Sequence, residues 1–202
     1  MKKLVLIALV VFATSLAPSV RASETSPAHN YFTDVVLTDQ DGKPVRFYSD
    51  VLQGKTVVVE SFFATCTGTC PIMNATFAKI QAAVGDRLGK DVFLVSITVD
   101  VENDTPAKLK EYAGRMKARP GWMFLTGKKE NVDQALHKLG LKVESRESHK
   151  NLFIVGNEPK GLWKKVFGLS KPDEVVSIVQ GVIDDRNAAV PVAEHAASSR
   201  QE

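Results

Sequence analysis

The sequence predicts an α/β sandwich with a mixed central sheet, helices on both faces and an N-terminal β-hairpin. Two largely apolar runs, residues 56–63 (TVVVESFF), which includes one Glu, and residues 92–99 (VFLVSITV), are typical of strands buried on both faces. Two short apolar segments, at residues 35–37 and 45–47, flank the turn dipeptide Asp41-Gly42 and indicate a hairpin. From residue 56 onwards, strand patterns alternate with helical ones, as expected when helices cover a partly parallel sheet.

The composition is that of one globular domain. The chain has 202 residues, of which 44% are hydrophobic and 24% charged, which excludes a wholly disordered chain, a collagen-like fibre and a multi-span membrane protein. The formal charge is +3, from 26 basic and 23 acidic residues. Lys2, Lys3 and Arg21 precede the first acidic residue, and the remaining chain has 23 residues of each sign. This balance gives no indication of nucleic-acid binding.

Both ends of the chain are expected to lie outside the domain. Residues 1–22 combine Lys2-Lys3, an apolar run and the triplet Val20-Arg21-Ala22, which has short side chains at its first and third places. This pattern predicts a secretory signal cleaved after Ala22 and export to the periplasm. The apolar run is too short for a typical transmembrane helix, and an uncleaved anchor in the inner membrane is the alternative. Residues 23–29 are expected to be a flexible lead-in and residues 186–202 a disordered tail. The domain is then residues 30–185.

The other predicted elements follow in order. A helix begins at Pro71, with Ile72, Phe77, Ile80 and Val84 on or near one face. Further helices are expected at residues 106–116, with Thr105 as the N-cap, at 129–139, ended by Gly140, and at 173–183. Further strands are expected at residues 122–125, 152–155 and 161–167. A central βαβ unit followed by a late hairpin and a terminal helix predicts a thioredoxin-like fold.

The chain has two cysteines, Cys66 and Cys70, in the predicted turn between a buried strand and a helix. A helix N-terminus stabilises thiolates, and Gly68 is expected to let the loop fold back so that both sulfurs point to one place. The three-residue spacer differs from that of thioredoxin-type dithiols but allows a disulfide or a shared metal ion. A purely stabilising disulfide is the alternative, although so small a loop yields little entropic stabilisation. The pair therefore indicates redox or metal chemistry.

A metal site needs at least one further ligand, and His149 is the best-placed histidine. It lies in a polar loop, residues 144–150, directly before a predicted strand. His29 and His195 lie in the expected flexible ends, His137 is expected to face solvent, and Met73 is a softer candidate that is expected to lie in the core. Two thiolates and an imidazole suit Cu(I), and with a weak added ligand Cu(II). Zinc normally takes a fourth donor, and calcium and magnesium require oxygen ligands.

Four segments together resemble one known family. They are Cys66-x-x-x-Cys70-Pro71 after an apolar strand, residues 96–100 (SITVD) followed by Asp104-Thr105-Pro106, residues 122–127 (WMFLTG), and His149 before a strand. Over residues 30–185 the chain is similar to the Sco/SenC family, copper-binding assembly proteins of cytochrome c oxidase. The spacer Thr67-Gly68-Thr69 departs from that family, which commonly has a Pro-Asp pair there.

The resemblance implies that Cys66, Cys70 and His149 are copper ligands. It also makes Asp100 and Asp104 candidates for supporting the site or facing a partner, with helix capping and a solvated loop as the alternative. The implied function is an exported copper chaperone that delivers copper to a respiratory oxidase subunit or another copper protein.

A periplasmic thiol–disulfide oxidoreductase is the alternative function, with Cys66 as nucleophile and Cys70 resolving the mixed disulfide. A thiol peroxidase is less well supported, since the sequence shows no activating Arg near Cys66.

Overall fold

The computed structural model describes residues 26–145 and 148–184. The predicted signal segment and the predicted C-terminal tail lie outside the described residues. Within the described part, no helix is long and apolar enough to cross a membrane.

The described strands form a seven-stranded mixed sheet with the order β2-β1-β5-β4-β3-β6-β7. Strands β3, β4 and β5 are parallel to one another, whereas β1 is antiparallel to β5 and β6 is antiparallel to β3. The β1–β2 pair confirms the predicted N-terminal hairpin. The strands are β1 (Val36–Asp39), β2 (Pro44–Arg46), β3 (Thr56–Phe62), β4 (Val92–Thr98), β5 (Trp122–Thr126), β6 (Leu152–Asn157) and β7 (Leu162–Phe167).

Helices cover both faces of this sheet, as predicted. Apolar residues of α2, α3 and α5 form a core on one face. Those of α1, α4 and a π-helical turn at Phe47–Leu52 form a core on the other. Every residue of β3 is buried, which explains its continuous apolar run. The helices are α1 (Pro27–Phe32), α2 (Cys70–Val84), α3 (Pro106–Arg115), α4 (Lys129–Lys138) and α5 (Pro172–Ile183).

Helix α1 is a difference from the predicted flexible lead-in at residues 23–29. The helix begins at Pro27, and the Ser26 hydroxyl caps it by accepting the backbone N–H of His29 at 3.1 Å. The His29 ring lies 3.1 Å from the carboxylate of Asp34, and Phe32 is buried in the core. His29 is therefore part of a short packed helix.

Helix α2 corrects one predicted core position. Ile72 is 54% exposed, whereas Met73 is buried. Met73, Phe77, Ile80 and Val84 follow one another at intervals of four, three and four residues, which is the spacing of one helical stripe. Ile72 lies off that stripe. The expectation that Met73 belongs to the core is confirmed.

The topology brings three loops to one edge of the sheet. Parallel strands β3 and β4 both end there, so residues 63–69 and 99–105 are neighbours. Because β6 is antiparallel to β3, the loop that precedes β6 reaches the same edge. These loops, or the residues directly beside them, include Cys66, Cys70, Asp100, Asp104 and His149.

Candidate metal centre

Cys66, Cys70 and His149 lie together at this edge of the sheet. The two Sγ atoms and a ring nitrogen of His149 are all within 4.8 Å of one another, and Cys70 Sγ is 3.3 Å from His149 Nε2. Among residues 26–145 and 148–184, no other set of three or more His, Cys, Asp or Glu side chains is gathered as a possible metal site. The structure thus places the three sequence-predicted ligand residues in one cluster.

The two cysteines are held by different parts of the strand–helix connection. Cys66 lies in a turn in which its backbone N–H donates to the carbonyl of Phe63 at 3.1 Å. Cys70 is the first residue of α2, one position earlier than the predicted start at Pro71. Both are free thiols in this structure. Cys70 is 2% exposed and Cys66 is half-buried, so Cys66 is the more accessible sulfur.

Gly68 does not have the conformational role expected for it. Its φ lies outside the left-handed region that favours glycine, and a Cβ at this position would meet no atom within 4 Å. The loop therefore turns without a glycine-specific conformation. The spacing of the two cysteines across the turn and the first residue of α2 is enough to bring the sulfurs together.

A hydrogen bond that the sequence analysis did not predict lies beside the imidazole of His149. The Thr69 hydroxyl donates to Asn151 Oδ1 at 2.7 Å, and Thr69 Oγ1 lies 3.4 Å from His149 Nε2. Thr69 occupies the N-cap position of α2 but makes no side-chain capping bond there, because its hydroxyl is directed to Asn151. The Phe63 ring also meets the His149 ring edge to face, with centroids 5.4 Å apart. In the sequence, Thr69, Asn151 and Phe63 are distinguished only by lying close to the ligand residues.

The electrostatics of the site favour the protonated form of Cys70. Burial raises the pKa of its thiol, and the neighbouring Cys66 and the carboxyl of Glu60 add to this rise. The expected lowering by the helix N-terminus therefore does not dominate. Two adjacent thiolates here need a compensating positive charge, which a bound metal cation would supply as the thiol protons leave.

Glu60 is a buried acidic group close enough to influence Cys70. It lies within β3, and the Ser96 hydroxyl donates to its Oε1 at 2.8 Å. The indole N–H of Trp122 donates to Ser96 Oγ at 3.0 Å. Burial raises the pKa of Glu60 to about 8, with the Ser96 hydrogen bond opposing the rise. At neutral pH Glu60 is therefore mostly a neutral acid.

Asp104 supports the cysteine loop instead of facing a partner or solvent. Its side chain is 1% exposed. Asp104 Oδ2 accepts the backbone N–H of Ala64 at 3.0 Å and the hydroxyl of Thr98 at 2.5 Å. These bonds tie the loop after β3 to the end of β4. The predicted N-cap of α3 is confirmed at Thr105, whose hydroxyl accepts the Lys108 N–H.

Asp100 is also buried and is not in the Cys–Cys–His cluster. Its Oδ1 accepts the side-chain amide of Asn103 at 2.8 Å, and its backbone N–H donates to Thr98 Oγ1 at 3.0 Å. It therefore shapes the turn that leads to Asp104.

The remaining ligand candidates lie elsewhere. His137 is exposed on α4, as predicted, and the Met73 side chain lies against Gly168 in the core. His195 lies outside the described residues. The cluster therefore offers two sulfur donors and one nitrogen donor, a soft to intermediate set that fits a three-coordinate Cu(I) ion.

Comparison with known proteins identifies the family. The model of the SCO1/SenC family matches residues 23–183, which is most of the chain. The chain belongs to the SCO1/SenC family. The match covers every described strand and the three clustered residues, so the family resemblance seen in the sequence is confirmed.

Individual relatives agree with this assignment. The SCO1 protein homolog of Bacillus subtilis (strain 168) is 36% identical over 90 residues, which are 44% of this chain and 45% of that protein. The chain spans about half the length of the first curated relatives that it matches.

Solved structures of Sco proteins share the fold. Arabidopsis thaliana ScoI with copper bound superposes with a TM-score of 0.64 at 22% identity, covering 77% of this chain and 99% of that one. BsSco, a Sco-family cytochrome c oxidase assembly protein in which a disulfide switch was identified, has a TM-score of 0.61 at 27% identity. That match covers 75% of this chain and 92% of BsSco. The predicted thioredoxin-like fold is confirmed.

Proposed function

We propose that this protein is an exported copper chaperone that binds one copper ion through Cys66, Cys70 and His149. The observation that carries the proposal is the gathering of two thiol sulfurs and an imidazole nitrogen within 4.8 Å. Thiolate and imidazole donors in a set of three suit Cu(I) better than zinc, which normally takes four ligands in a structural site. The copper-bound state of Arabidopsis thaliana ScoI supports the choice of metal.

The exposure of the site suits transfer of its cargo. Cys66 and His149 are half-buried, whereas Cys70 is closed off from solvent. A partner's thiolates or imidazoles can therefore approach the ion from the side of Cys66 and His149 and replace these ligands in turn. The partner we propose is a respiratory oxidase subunit or another copper protein, and the place of BsSco among cytochrome c oxidase assembly proteins supports it.

The proposed location is the periplasm. It rests on the sequence pattern of residues 1–22, which lie outside the described residues. Cell fractionation of the tagged full chain tests this location, and the mass of the mature protein distinguishes cleavage after Ala22 from an inner-membrane anchor.

Anaerobic titration of the reduced chain with Cu(I) against a competing chelator tests the copper proposal. We expect one tightly bound ion per chain, and loss of tight binding in Cys66→Ser and Cys70→Ser. His149→Ala should weaken binding by more than the roughly 10–100-fold typical of residues that only support a ligand. His137→Ala is the matched control, because it removes an exposed imidazole from α4. Binding no tighter than that of a generic dithiol would contradict the proposal.

A thiol–disulfide oxidoreductase is the second candidate, favoured by the unequal exposure of two neighbouring sulfurs. In this reaction the Cys66 thiolate attacks a target disulfide, and one target sulfur leaves as a thiolate. Cys70 gives its thiol proton to that departing thiolate and then attacks Cys66 Sγ, which releases the second target thiolate. Two electrons pass from the protein thiols to the target, and the protein is left as the Cys66–Cys70 disulfide. The disulfide switch of BsSco supports this chemistry.

The two functions use the same sulfurs and therefore exclude each other at any moment. We expect the verified Cys66–Cys70 disulfide form to lose tight Cu(I) binding. In the oxidoreductase case, Cys70→Ser should accumulate a mixed disulfide between Cys66 and its target, whereas Cys66→Ser should not. Tight Cu(I) binding by the oxidised chain would contradict the shared-sulfur account.

A further inference from the structure

A second concave site lies on the sheet face that α1 and α4 cover. This groove encloses about 720 Å³, within the range of roughly 300–1,000 Å³ typical of small-molecule sites. Its walls come from α1, from the end of α4 and from β6 and β7, and none of the three clustered ligand residues lines it. Its lining includes Tyr31, Phe32, Lys138, Ile154, Trp163 and Lys165.

Part of the groove lining is aromatic and apolar. The rings of Phe32 and Trp163 lie against each other with centroids 4.9 Å apart, and Ile154 lies in the buried sheet beneath. Trp163 rests over Gly156, where a Cβ would come within 2.2 Å of the indole ring. The absence of a side chain at Gly156 thus lets the indole lie flat on the sheet and form a wall of the groove.

The lining of the groove also carries cationic side chains. The Lys138 ammonium lies 4.9 Å from the centroid of the Tyr31 ring. The Lys165 ammonium lies close to Gly140, 3.3 Å from the position that a Cβ would occupy there. Within residues 26–145 and 148–184, no carboxylate forms an ion pair with either ammonium. Two positive charges therefore stand beside an apolar surface without an internal counter-ion from these residues.

The end of α4 does not neutralise these two charges fully. Helix C-terminal carbonyls carry partial negative charge. Here, however, Tyr31 Oη donates to the carbonyl of Lys138 at 3.1 Å and the Lys150 ammonium donates to that of Gly140 at 3.0 Å. With these carbonyls already hydrogen-bonded, the ammonium groups of Lys138 and Lys165 remain available to an anionic ligand.

We propose that this groove binds a small amphipathic anion, with its aromatic or alkyl body against Phe32 and Trp163 and its acidic group beside Lys138 and Lys165. Charge complementarity selects the anionic head, and the aromatic wall selects the apolar body. The groove does not include Cys66, Cys70 or His149. A test of anion binding in the groove is therefore independent of copper binding.

Fluorescence titration of the reduced chain with 8-anilinonaphthalene-1-sulfonate, an aromatic anion, tests the groove. N-phenyl-1-naphthylamine has the same aromatic body without the sulfonate and is the matched probe. We expect one sulfonate probe to bind per chain in a saturable manner. The uncharged probe should bind more weakly, by about tenfold or more, because it cannot pair with the ammonium groups of Lys138 and Lys165. Equal affinity for both probes, or no saturable binding, would overturn the proposal.

Variants locate the bound probe. Lys165→Glu should weaken binding of the sulfonate about tenfold or more and leave the uncharged probe unchanged, whereas Trp163→Leu should weaken both. Lys90→Glu makes the same charge change at an exposed site outside the groove and should leave both affinities unchanged. Cys66→Ser should also have no effect.

Two further results would overturn the proposal. One is binding that persists in Lys165→Glu at full affinity, which would place the probe elsewhere. The other is self-association of the chain that excludes the probe. Sedimentation would detect it as a mass that depends on concentration, and the groove would then be a contact between copies of the chain. Because the probe also binds loosened folds, each variant must keep its thermal unfolding midpoint for its titration to count.

Discussion

At the scale of single residues, the metal centre is shaped by contacts that do not involve a metal ion. Cys70 Sγ lies 3.3 Å from His149 Nε2. Thr69 and Phe63 also contact the imidazole, and Asn151 accepts the hydrogen bond of the Thr69 hydroxyl. Contacts within the protein therefore keep the three donors close together. Such pre-organisation lowers the cost of assembling the site when copper arrives.

Thr69→Val tests the support of the imidazole. The substitution removes the hydroxyl that donates to Asn151 Oδ1 and lies 3.4 Å from His149 Nε2, and it keeps the size of the side chain. His149 therefore loses its polar contact with Thr69. We expect Cu(I) affinity to fall by about tenfold, measured by chelator competition. Thr67→Val is the matched control in the same spacer, because Thr67 is exposed. Equal affinities of the two variants would show that Thr69 does not support the site.

Asp104→Ala tests the tie between the two loops. The backbone N–H of Ala64 and the hydroxyl of Thr98 would lose their buried acceptor, which should lower the free energy of unfolding by about 1–3 kcal/mol. Asp104→Asn keeps a carbonyl acceptor and should lose less. Asp173→Ala removes a carboxylate from an exposed position and should change stability by less than about 0.5 kcal/mol. Urea unfolding measures all three, and an unchanged midpoint in Asp104→Ala would contradict the tie.

Sequence reasoning found the residues of the cluster but not those that support it. Cysteine and histidine are chemically distinctive, and the loop position of His149 before a strand pointed to the right edge of the sheet. Thr69 and Asn151 carry no such signal, because threonine and asparagine are common in turns and their hydrogen bond spans 82 residues of sequence. Asp104 was noticed, but its burial depends on how two loops pack and cannot be read from the local pattern.

At the scale of elements, periodicity predicted the strands and long helices because each buries a continuous face. The ends of these elements agree with the structure to within a few residues. Helix α1 and the π-helical turn at Phe47–Leu52 were missed, since both are six residues long and show no full helical repeat. Their buried aromatic residues, Phe32, Phe47 and Tyr48, are explained only by packing against the sheet.

Two glycines test how the elements pack. A Cβ at Gly156 in β6 would lie 2.2 Å from the Trp163 ring of the neighbouring strand β7, whereas a Cβ at Gly68 would meet no atom within 4 Å. Gly156→Ala should therefore lower the free energy of unfolding by about 1–3 kcal/mol through overpacking. Gly68→Ala should leave both stability and Cu(I) affinity nearly unchanged. Urea unfolding measures the first effect, and a stable Gly156→Ala variant with an unshifted Trp fluorescence spectrum would contradict it.

At the scale of the whole molecule, the mixed sheet is what assembles the site. The antiparallel addition of β6 beside β3 brings His149 to residues 63–70, although 79 residues separate it from Cys70 in the chain. The same sheet buries Glu60 in its central strand, where one hydroxyl donates to its carboxyl. A buried acid at this position makes the stability of the entire fold depend on pH.

Glu60→Gln tests this dependence. Burial raises the pKa of Glu60 from 4.5 to about 8, so between these pH values the folded chain holds a proton that the unfolded chain has released. The stability contributed by the neutral acid is therefore present below pH 4.5 and is lost as the pH rises to about 8. We expect the stability of Glu60→Gln relative to the unsubstituted chain to increase across this window by a few kcal/mol, since each pKa unit corresponds to about 1.4 kcal/mol.

Urea unfolding of both chains at several pH values measures the difference. Groups whose pKa is lowered, such as Asp50 beside Arg46, change the free energy of unfolding of both chains equally. Their contribution therefore cancels in the difference between the two chains. A difference in stability that stays constant from pH 4.5 to pH 8 would contradict the raised pKa of Glu60.

The central claim is that Cys66, Cys70 and His149 together hold one copper ion. X-ray absorption at the copper K-edge of the Cu(I)-loaded chain tests it most directly, with His149→Ala and His137→Ala measured alongside. We expect two sulfur donors and one nitrogen donor in the unsubstituted chain and in His137→Ala, and loss of the nitrogen donor in His149→Ala. Identical spectra for all three chains, or a copper ion without sulfur donors, would contradict it.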